Sequence, residues 1–127
     1  MAARGKVLVV DDEPDAKELY ARLLGGARFD LATAGTLDEA RKRLDSEPFD
    51  VVVLDLGLPD GYGGDLLAAV RIACPDIPVI IVTGTPSPQT VADTSVRGAL
   101  AYLEKPLDAE ELKRHLALAI WGPSAPS

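Results

Sequence analysis

The chain has 127 residues, of which 47% are hydrophobic and one is cysteine, so it forms about one domain whose core cannot depend on an internal disulfide. Its formal net charge of −7 argues against nucleic-acid binding, because phosphate backbones are held mainly by clustered Lys and Arg. Without an apolar segment of signal-peptide or membrane-span length, the chain is predicted to be cytoplasmic and to contact no membrane.

The first part of the chain alternates strand and helix patterns. Residues 7–10 are an apolar, β-branched run typical of a buried parallel strand, and they end at a pair of aspartates. A helical repeat follows and stops at two glycines, after which residues 29–33 predict a second strand. Thr36 and Glu39 predict a capping box at the start of the second helix. The residues that repeat at helical spacing in the first helix are Ala16, Leu19, Tyr20, Leu23 and Leu24.

The middle of the chain repeats the pattern of the first strand twice. Residues 51–54 form an apolar run that leads into Asp55. A Gly- and Pro-rich stretch over residues 56–64 predicts a loop, and a third helix follows it. Residues 79–82 form another apolar run, which ends at Thr83. Each of these buried strands is therefore predicted to deliver a polar group at its carboxyl end.

The last part of the chain predicts one further strand between two helices. Ser87 can cap a fourth helix, although the Thr and Val residues that follow are poor helix formers. Residues 100–103 predict the fifth strand, and Asp108 caps the last helix. Residues 122–127 contain only Gly, Pro, Ser and Ala, which predicts a tail or the start of a linker. The domain is accordingly assigned to residues 1–121.

Five strands that alternate with five helices predict an α/β fold, a (βα)5 doubly wound three-layer sandwich of flavodoxin-like type. The predicted parallel sheet has strand order 2-1-3-4-5, which makes the first and third strands neighbours. Ligands bind at the carboxyl ends of such strands, beside the point where strand order reverses. We therefore expect Asp11, Asp12 and Asp55 to share one crevice, with Thr83 beside it.

Three carboxylates brought together repel one another. In a partly dehydrated crevice, at least one of them should hold a proton near neutral pH unless a cation removes the repulsion. Mg²⁺ is the candidate cation because it prefers oxygen ligands and commonly binds through carboxylates plus a phosphate. The pattern therefore indicates a site for phosphate chemistry. Asp11 or Asp12 taken alone could instead cap the first helix.

With these features in place, the chain resembles the response-regulator receiver domains of two-component signalling, the CheY-like superfamily. The resemblance covers nearly the whole chain, from Lys6 to about Ile120. Its segments occur in the order of the family and at compatible spacing. They are VLVVDDEP at 7–14, VVLDLGLPDGYGG at 52–64, VTG at 82–84 and GALAYLEKPL at 98–107.

The resemblance implies that Asp55 is the phosphoacceptor and that it shares a metal site with two neighbours. Asp12 would ligate Mg²⁺ directly, and Asp11 would do so mainly through water. The backbone carbonyl of Gly57 would complete the protein ligands. Mn²⁺ is the alternative cation.

The resemblance also implies catalytic roles for Thr83 and Lys105, each of which would contact a phosphoryl oxygen. Thr83 and Tyr102 would form the switch, with Tyr102 moving inward after phosphorylation. The Lys105–Pro106 peptide bond is expected to be cis, as in the family. The surface reshaped by this switch would be that of the fourth helix, the fifth strand and the last helix.

The function implied is that of a phosphoacceptor in a two-component phosphorelay, with a histidine kinase or phosphotransfer protein as the donor. An effector or a second copy of the chain would bind the reshaped surface. Such a protein is a signalling switch and not an enzyme with a separate substrate, since it catalyses only its own phosphorylation and dephosphorylation. A phosphorylation-independent interaction module is the alternative, and it would require a disabled site residue.

Overall fold

A parallel sheet of five strands, in the order β2-β1-β3-β4-β5, organises the chain as predicted. The computed structural model describes residues 4–24, 28–56, 63–84, 88, 91–92 and 98–122. The strands are β1 (Gly5–Val10), β2 (Phe29–Ala34), β3 (Val51–Asp55), β4 (Val79–Thr83) and β5 (Ala101–Glu104). The helices are α1 (Ala16–Leu24), α2 (Leu37–Ser46), α3 (Gly63–Ala73) and the last helix, here α4 (Ala109–Trp121).

The helix predicted after Ser87 falls mostly on residues outside the described ranges, and so does the tail predicted from Gly122 onward. The fifth strand was predicted to begin at Leu100 but begins at Ala101, and the Leu100 side chain is exposed. Among the described residues, none of the helices combines the length and the hydrophobicity of a membrane span.

The pleat of the sheet divides the core into two clusters. Side chains of successive strand residues point to opposite faces, so alternate valines of β1 and β3 pack together. One cluster lies under α1 and α4 and includes Val9 and Val53; we call this side the α1/α4 face. The other lies under α2 and α3 and includes Val10 and Leu54; this side is the α2/α3 face. Both faces are therefore covered, as a continuous apolar strand requires.

The helix caps predicted at Thr36 and Asp108 form, and Ser87 lies outside the described residues. The Thr36 hydroxyl accepts a hydrogen bond from the Glu39 N–H at 3.1 Å, and Asp108 accepts one from the Glu111 N–H at 2.9 Å. The return bond of the first box goes to the N–H of Gly35, one residue before the cap, where Glu39 accepts at 3.0 Å. The side chains thus satisfy backbone donors that the helix itself leaves unpaired.

The end of α4 contacts the starts of β1 and β2, away from the carboxyl ends of the strands. The Trp121 ring lies at the end of α4, and its centroid is 5.7 Å from that of the Phe29 ring. The Arg28 guanidinium lies over the Trp121 ring, 4.6 Å from its centroid. Ile120 packs closely on Gly5, where β1 begins. The last helix is therefore held against the starts of β1 and β2.

Gly5→Ala is expected to lower the free energy of unfolding by about 1–2 kcal/mol, because the new Cβ would overlap the side chain of Ile120. Gly35→Ala is the matched control, since a Cβ there meets nothing within 4 Å. We expect the control to stay within about 0.5 kcal/mol of the wild type. Urea unfolding of the three proteins measures the difference, and equal stabilities would contradict the close packing of α4 on β1.

Candidate functional site

The carboxyl ends of β1 and β3 bring three aspartates together. β1 and β3 pair in parallel with Val10 opposite Leu54, so the residues that follow, Asp11 and Asp55, lie at the same edge. One carboxylate oxygen from each of Asp11, Asp12 and Asp55 lies within 4.8 Å of the others. Asp11 and Asp55 are buried, whereas Asp12 is exposed. The convergence predicted from strand order is confirmed.

Lys105 completes the charged group at this edge. It follows β5, and its ammonium nitrogen lies 2.9 Å from Oδ2 of Asp55 and 3.9 Å from Oδ2 of Asp11. Its backbone N–H donates to the Thr83 carbonyl at 2.8 Å, which fixes the residue beside the end of β4. The Lys105–Pro106 peptide bond is cis, as the resemblance implies.

The electrostatics of the site follow from burial and from close charges. Burial raises the pKa of Asp11, the charge of Asp55 raises it further, and the hydrogen bond from the Glu13 N–H and the charge of Lys105 oppose the rise. For Lys105, burial acts to lower the pKa, but the hydrogen bond and charge of Asp55 and the charge of Asp11 outweigh it and raise the pKa. The repulsion expected between these carboxylates is thus present.

Asp11 also serves the turn that precedes α1. Its Oδ1 accepts a hydrogen bond from the Glu13 N–H at 3.0 Å, which is the local bond that an aspartate makes to the backbone two residues on. This bond lies three residues before α1 begins, so Asp11 forms a turn and does not cap that helix. The other oxygen faces Lys105, so the residue belongs to the turn and to the charged group together.

The raised pKa of Asp11 predicts a pH-dependent difference between the wild type and Asp11→Asn in EDTA. Because the folded-state pKa lies above its ordinary value of 3.8, folded protein holds this proton to higher pH than unfolded protein does. The wild type should therefore lose stability relative to Asp11→Asn as pH rises from the ordinary carboxyl range towards neutrality. Urea unfolding of both proteins across that range measures the difference, and a constant difference would contradict the prediction.

Thr83 and Tyr102 lie on the opposite face of the sheet from Asp11 and Asp55. Thr83 ends β4 and is buried, and Tyr102 pairs with Ile81 in the adjacent strand β5. Tyr102 packs against the core cluster of the α2/α3 face. Its hydroxyl is buried and has no hydrogen-bond partner among the residues that the structure describes. The ring therefore already occupies a largely inward position.

Gly57 and Tyr20 differ from the other site residues in what the sequence predicted for them. Gly57, the predicted carbonyl ligand, lies outside the described residues. Tyr20, predicted only as a core residue of α1, has a buried hydroxyl on which the charges of both Asp11 and Asp55 act. The available signal was its residue type, because Tyr20 is a hydroxyl-bearing side chain in a stripe otherwise composed of Ala and Leu.

Known proteins resemble this chain in sequence. The profile of the response regulator receiver domain matches residues 7–117. The response regulator protein PilR of Pseudomonas aeruginosa is 39% identical over 118 residues, which are 93% of this chain and 26% of PilR. The chain thus spans about a quarter of the length of that relative.

Solved structures share the fold over most of the chain. A response regulator from Burkholderia pseudomallei, with a phosphorylated aspartic acid, a calcium ion and citrate, has a TM-score of 0.80 and 30% identity; the match covers 91% of this chain and 68% of that one. The beryllofluoride-activated NtrC4 receiver domain dimer has a TM-score of 0.83 and 35% identity, with 91% of this chain and 95% of that one covered. These two structures and this chain therefore share the same α/β fold.

Proposed function

The chain belongs to the response regulator receiver domain family, and from this premise we propose that Asp55 accepts a phosphoryl group from a phosphohistidine. The observation that carries the proposal is the cluster at the strand ends, where Asp55 lies 2.9 Å from the ammonium of Lys105 and beside Asp11 and Asp12. The phosphorylated aspartic acid in the Burkholderia pseudomallei relative supports it. The presence of every ionisable member of this cluster favours it over a phosphorylation-independent module.

In the proposed transfer, a carboxylate oxygen of Asp55 attacks phosphorus and forms the new O–P bond. The N–P bond of the phosphohistidine breaks, and its electron pair stays on the imidazole nitrogen. The protein does little covalent chemistry beyond supplying this nucleophile, because phosphoryl transfer depends on in-line positioning and on neutralising charge. Lys105 is placed to neutralise one phosphoryl oxygen, since it already lies against Asp55.

The donor set of the cluster fits a hard divalent cation. Three carboxylate oxygens within 4.8 Å of one another are the ligand type that Mg²⁺ prefers, and burial keeps two of these residues from being fully hydrated. Asp11, Asp12 and Asp55 would hold the ion, with the carbonyl of Gly57 as a further ligand and Mn²⁺ as the alternative cation. When bound, the ion would neutralise charge on the phosphoryl oxygens.

Thr83 and Tyr102 are proposed to report the phosphorylated state. Thr83 ends the strand next to β3, so its hydroxyl would hydrogen-bond a phosphoryl oxygen, and Tyr102 would be held in its inward position on the α2/α3 face. This shifts the population between two packings of one chain.

The donor would be a histidine kinase or a phosphotransfer protein. An effector or a second copy would bind the surface of β5, α4 and the helix predicted before β5.

The direct test is incubation of the protein with a small-molecule phosphodonor and Mg²⁺, followed by intact mass spectrometry. We expect one phosphoryl group per chain with Mg²⁺ and a large reduction when EDTA replaces it. No adduct on the wild-type protein would overturn the proposed function. An equal adduct in EDTA would overturn the role of the cation while leaving phosphorylation itself in place.

A further inference from the structure

The Tyr20 hydroxyl is a buried polar group that the proposed chemistry does not use. Tyr20 lies on α1, its side chain is 1% exposed, and its hydroxyl has no hydrogen-bond partner within the described part of the chain. Buried polar groups in folded proteins are nearly always hydrogen-bonded, because an unpaired one retains its full desolvation cost. A phenylalanine would fill the same space without that cost. The hydroxyl therefore needs an explanation outside core packing.

The position of Tyr20 in the fold supplies one. It packs in the cluster of the α1/α4 face with Val9 and Val53. These two residues each precede an aspartate of the site by two positions, so Asp11 and Asp55 follow on the same face at the next level of the pleat. Tyr20 thus lies in the core cluster on the same face of the sheet as Asp11 and Asp55.

The hydroxyl is also kept in its donor form. Burial raises the pKa of Tyr20, and the negative charges of Asp11 and Asp55 raise it further. The group is accordingly a neutral O–H at neutral pH. A neutral donor is well suited to this position, because it can hydrogen-bond a carboxylate without competing in charge with a bound cation.

We propose that Tyr20 is a positioning residue of the metal site, whose hydroxyl donates a hydrogen bond to the Asp11 carboxylate when a divalent cation is bound. The inference rests on the proposed function for the cation. In the structure, Asp11 has the Glu13 N–H at 3.0 Å and the Lys105 ammonium at 3.9 Å. A cation held by the cluster would repel that ammonium, and a phosphoryl group would attract it away from Asp11. Tyr20 then supplies the donor that orients Asp11, as outer-shell partners do for ligating carboxylates.

The test compares Tyr20→Phe with the wild type in a titration with Mn²⁺, where free Mn²⁺ is followed by electron paramagnetic resonance. Phenylalanine keeps the ring and its packing, so only the donor is lost. We expect the dissociation constant for Mn²⁺ to rise about tenfold, the low end of what losing an outer-shell partner costs a metal site. Leu24→Val is the matched control, because Leu24 is buried in the same cluster on the same helix but does not carry a polar group. It should bind Mn²⁺ as the wild type does.

Phosphorylation from a small-molecule donor gives the second measurement. Tyr20→Phe should be phosphorylated about tenfold more slowly at limiting Mg²⁺ and at the wild-type rate at saturating Mg²⁺. A Mn²⁺ affinity within twofold of the wild type, or an equal loss in Leu24→Val, would overturn the inference. Should the wild type take no phosphoryl group, the proposed function fails, and the Mn²⁺ titration still decides the role of Tyr20.

Discussion

Asp55→Asn is expected to abolish phosphorylation by a small-molecule phosphodonor under conditions that convert the wild-type protein. The carboxylate of Asp55 is the proposed nucleophile, and the amide of asparagine is neutral and far less nucleophilic. The substitution also leaves two carboxylates where the cluster has three, so it weakens the proposed cation site as well. Intact mass spectrometry after incubation with Mg²⁺ should show only unmodified chain in the variant.

Asp76→Asn is the matched control for this experiment. Asp76 is an exposed residue of the turn before β4, so the same change of charge is made far from the carboxyl ends of the strands. It should acquire the phosphoryl group as the wild type does. An undiminished adduct in Asp55→Asn would refute the assignment of the phosphoacceptor, and peptide mapping would then locate the true acceptor.

The architecture was predictable because the strands carry a redundant signal. Each of the runs at 7–10, 51–54 and 79–82 is too apolar to face water on either side, which requires a parallel sheet between two helix layers. Once the order 2-1-3-4-5 is assumed, strand pairing and the pleat determine which residues lie together at the edge of the sheet. The residue after β1 and the last residue of β3 must then meet at one edge, as Asp11 and Asp55 do.

The details of helix surfaces were less predictable. Leu19 belongs to the apolar repeat that predicts α1, yet it is 43% exposed, whereas Tyr20 next to it is fully buried. Helical spacing identifies an apolar stripe, but the edge of the stripe that is covered depends on where neighbouring helices lie. Here the last helix, α4, packs on the same face of the sheet as α1, although it is distant from α1 in sequence. The unpaired hydroxyl of Tyr20 depends on that same packing and could not be read from spacing.

Lys105→Met is expected to slow phosphorylation by about 100-fold at saturating Mg²⁺, the order of effect seen when a donor to developing negative charge is removed. Methionine keeps the apolar length of the side chain and removes only the ammonium, which lies 2.9 Å from Asp55. The nucleophile and the three carboxylates remain. Unlike Asp55→Asn, the variant should therefore still form the adduct, slowly and at Asp55.

Metal binding separates this loss from a general disruption of the site. The ammonium of Lys105 lies against Asp55 and within 3.9 Å of Asp11, so it competes with a cation for the same carboxylates. Lys105→Met should therefore bind Mn²⁺ at least as tightly as the wild type, while Tyr20→Phe should bind it more weakly. Lys113→Met serves as the control, because Lys113 pairs with Glu110 on α4 and lies outside the cluster. A wild-type rate in Lys105→Met would show that the lysine neutralises the resting carboxylates and not the phosphoryl group in transfer.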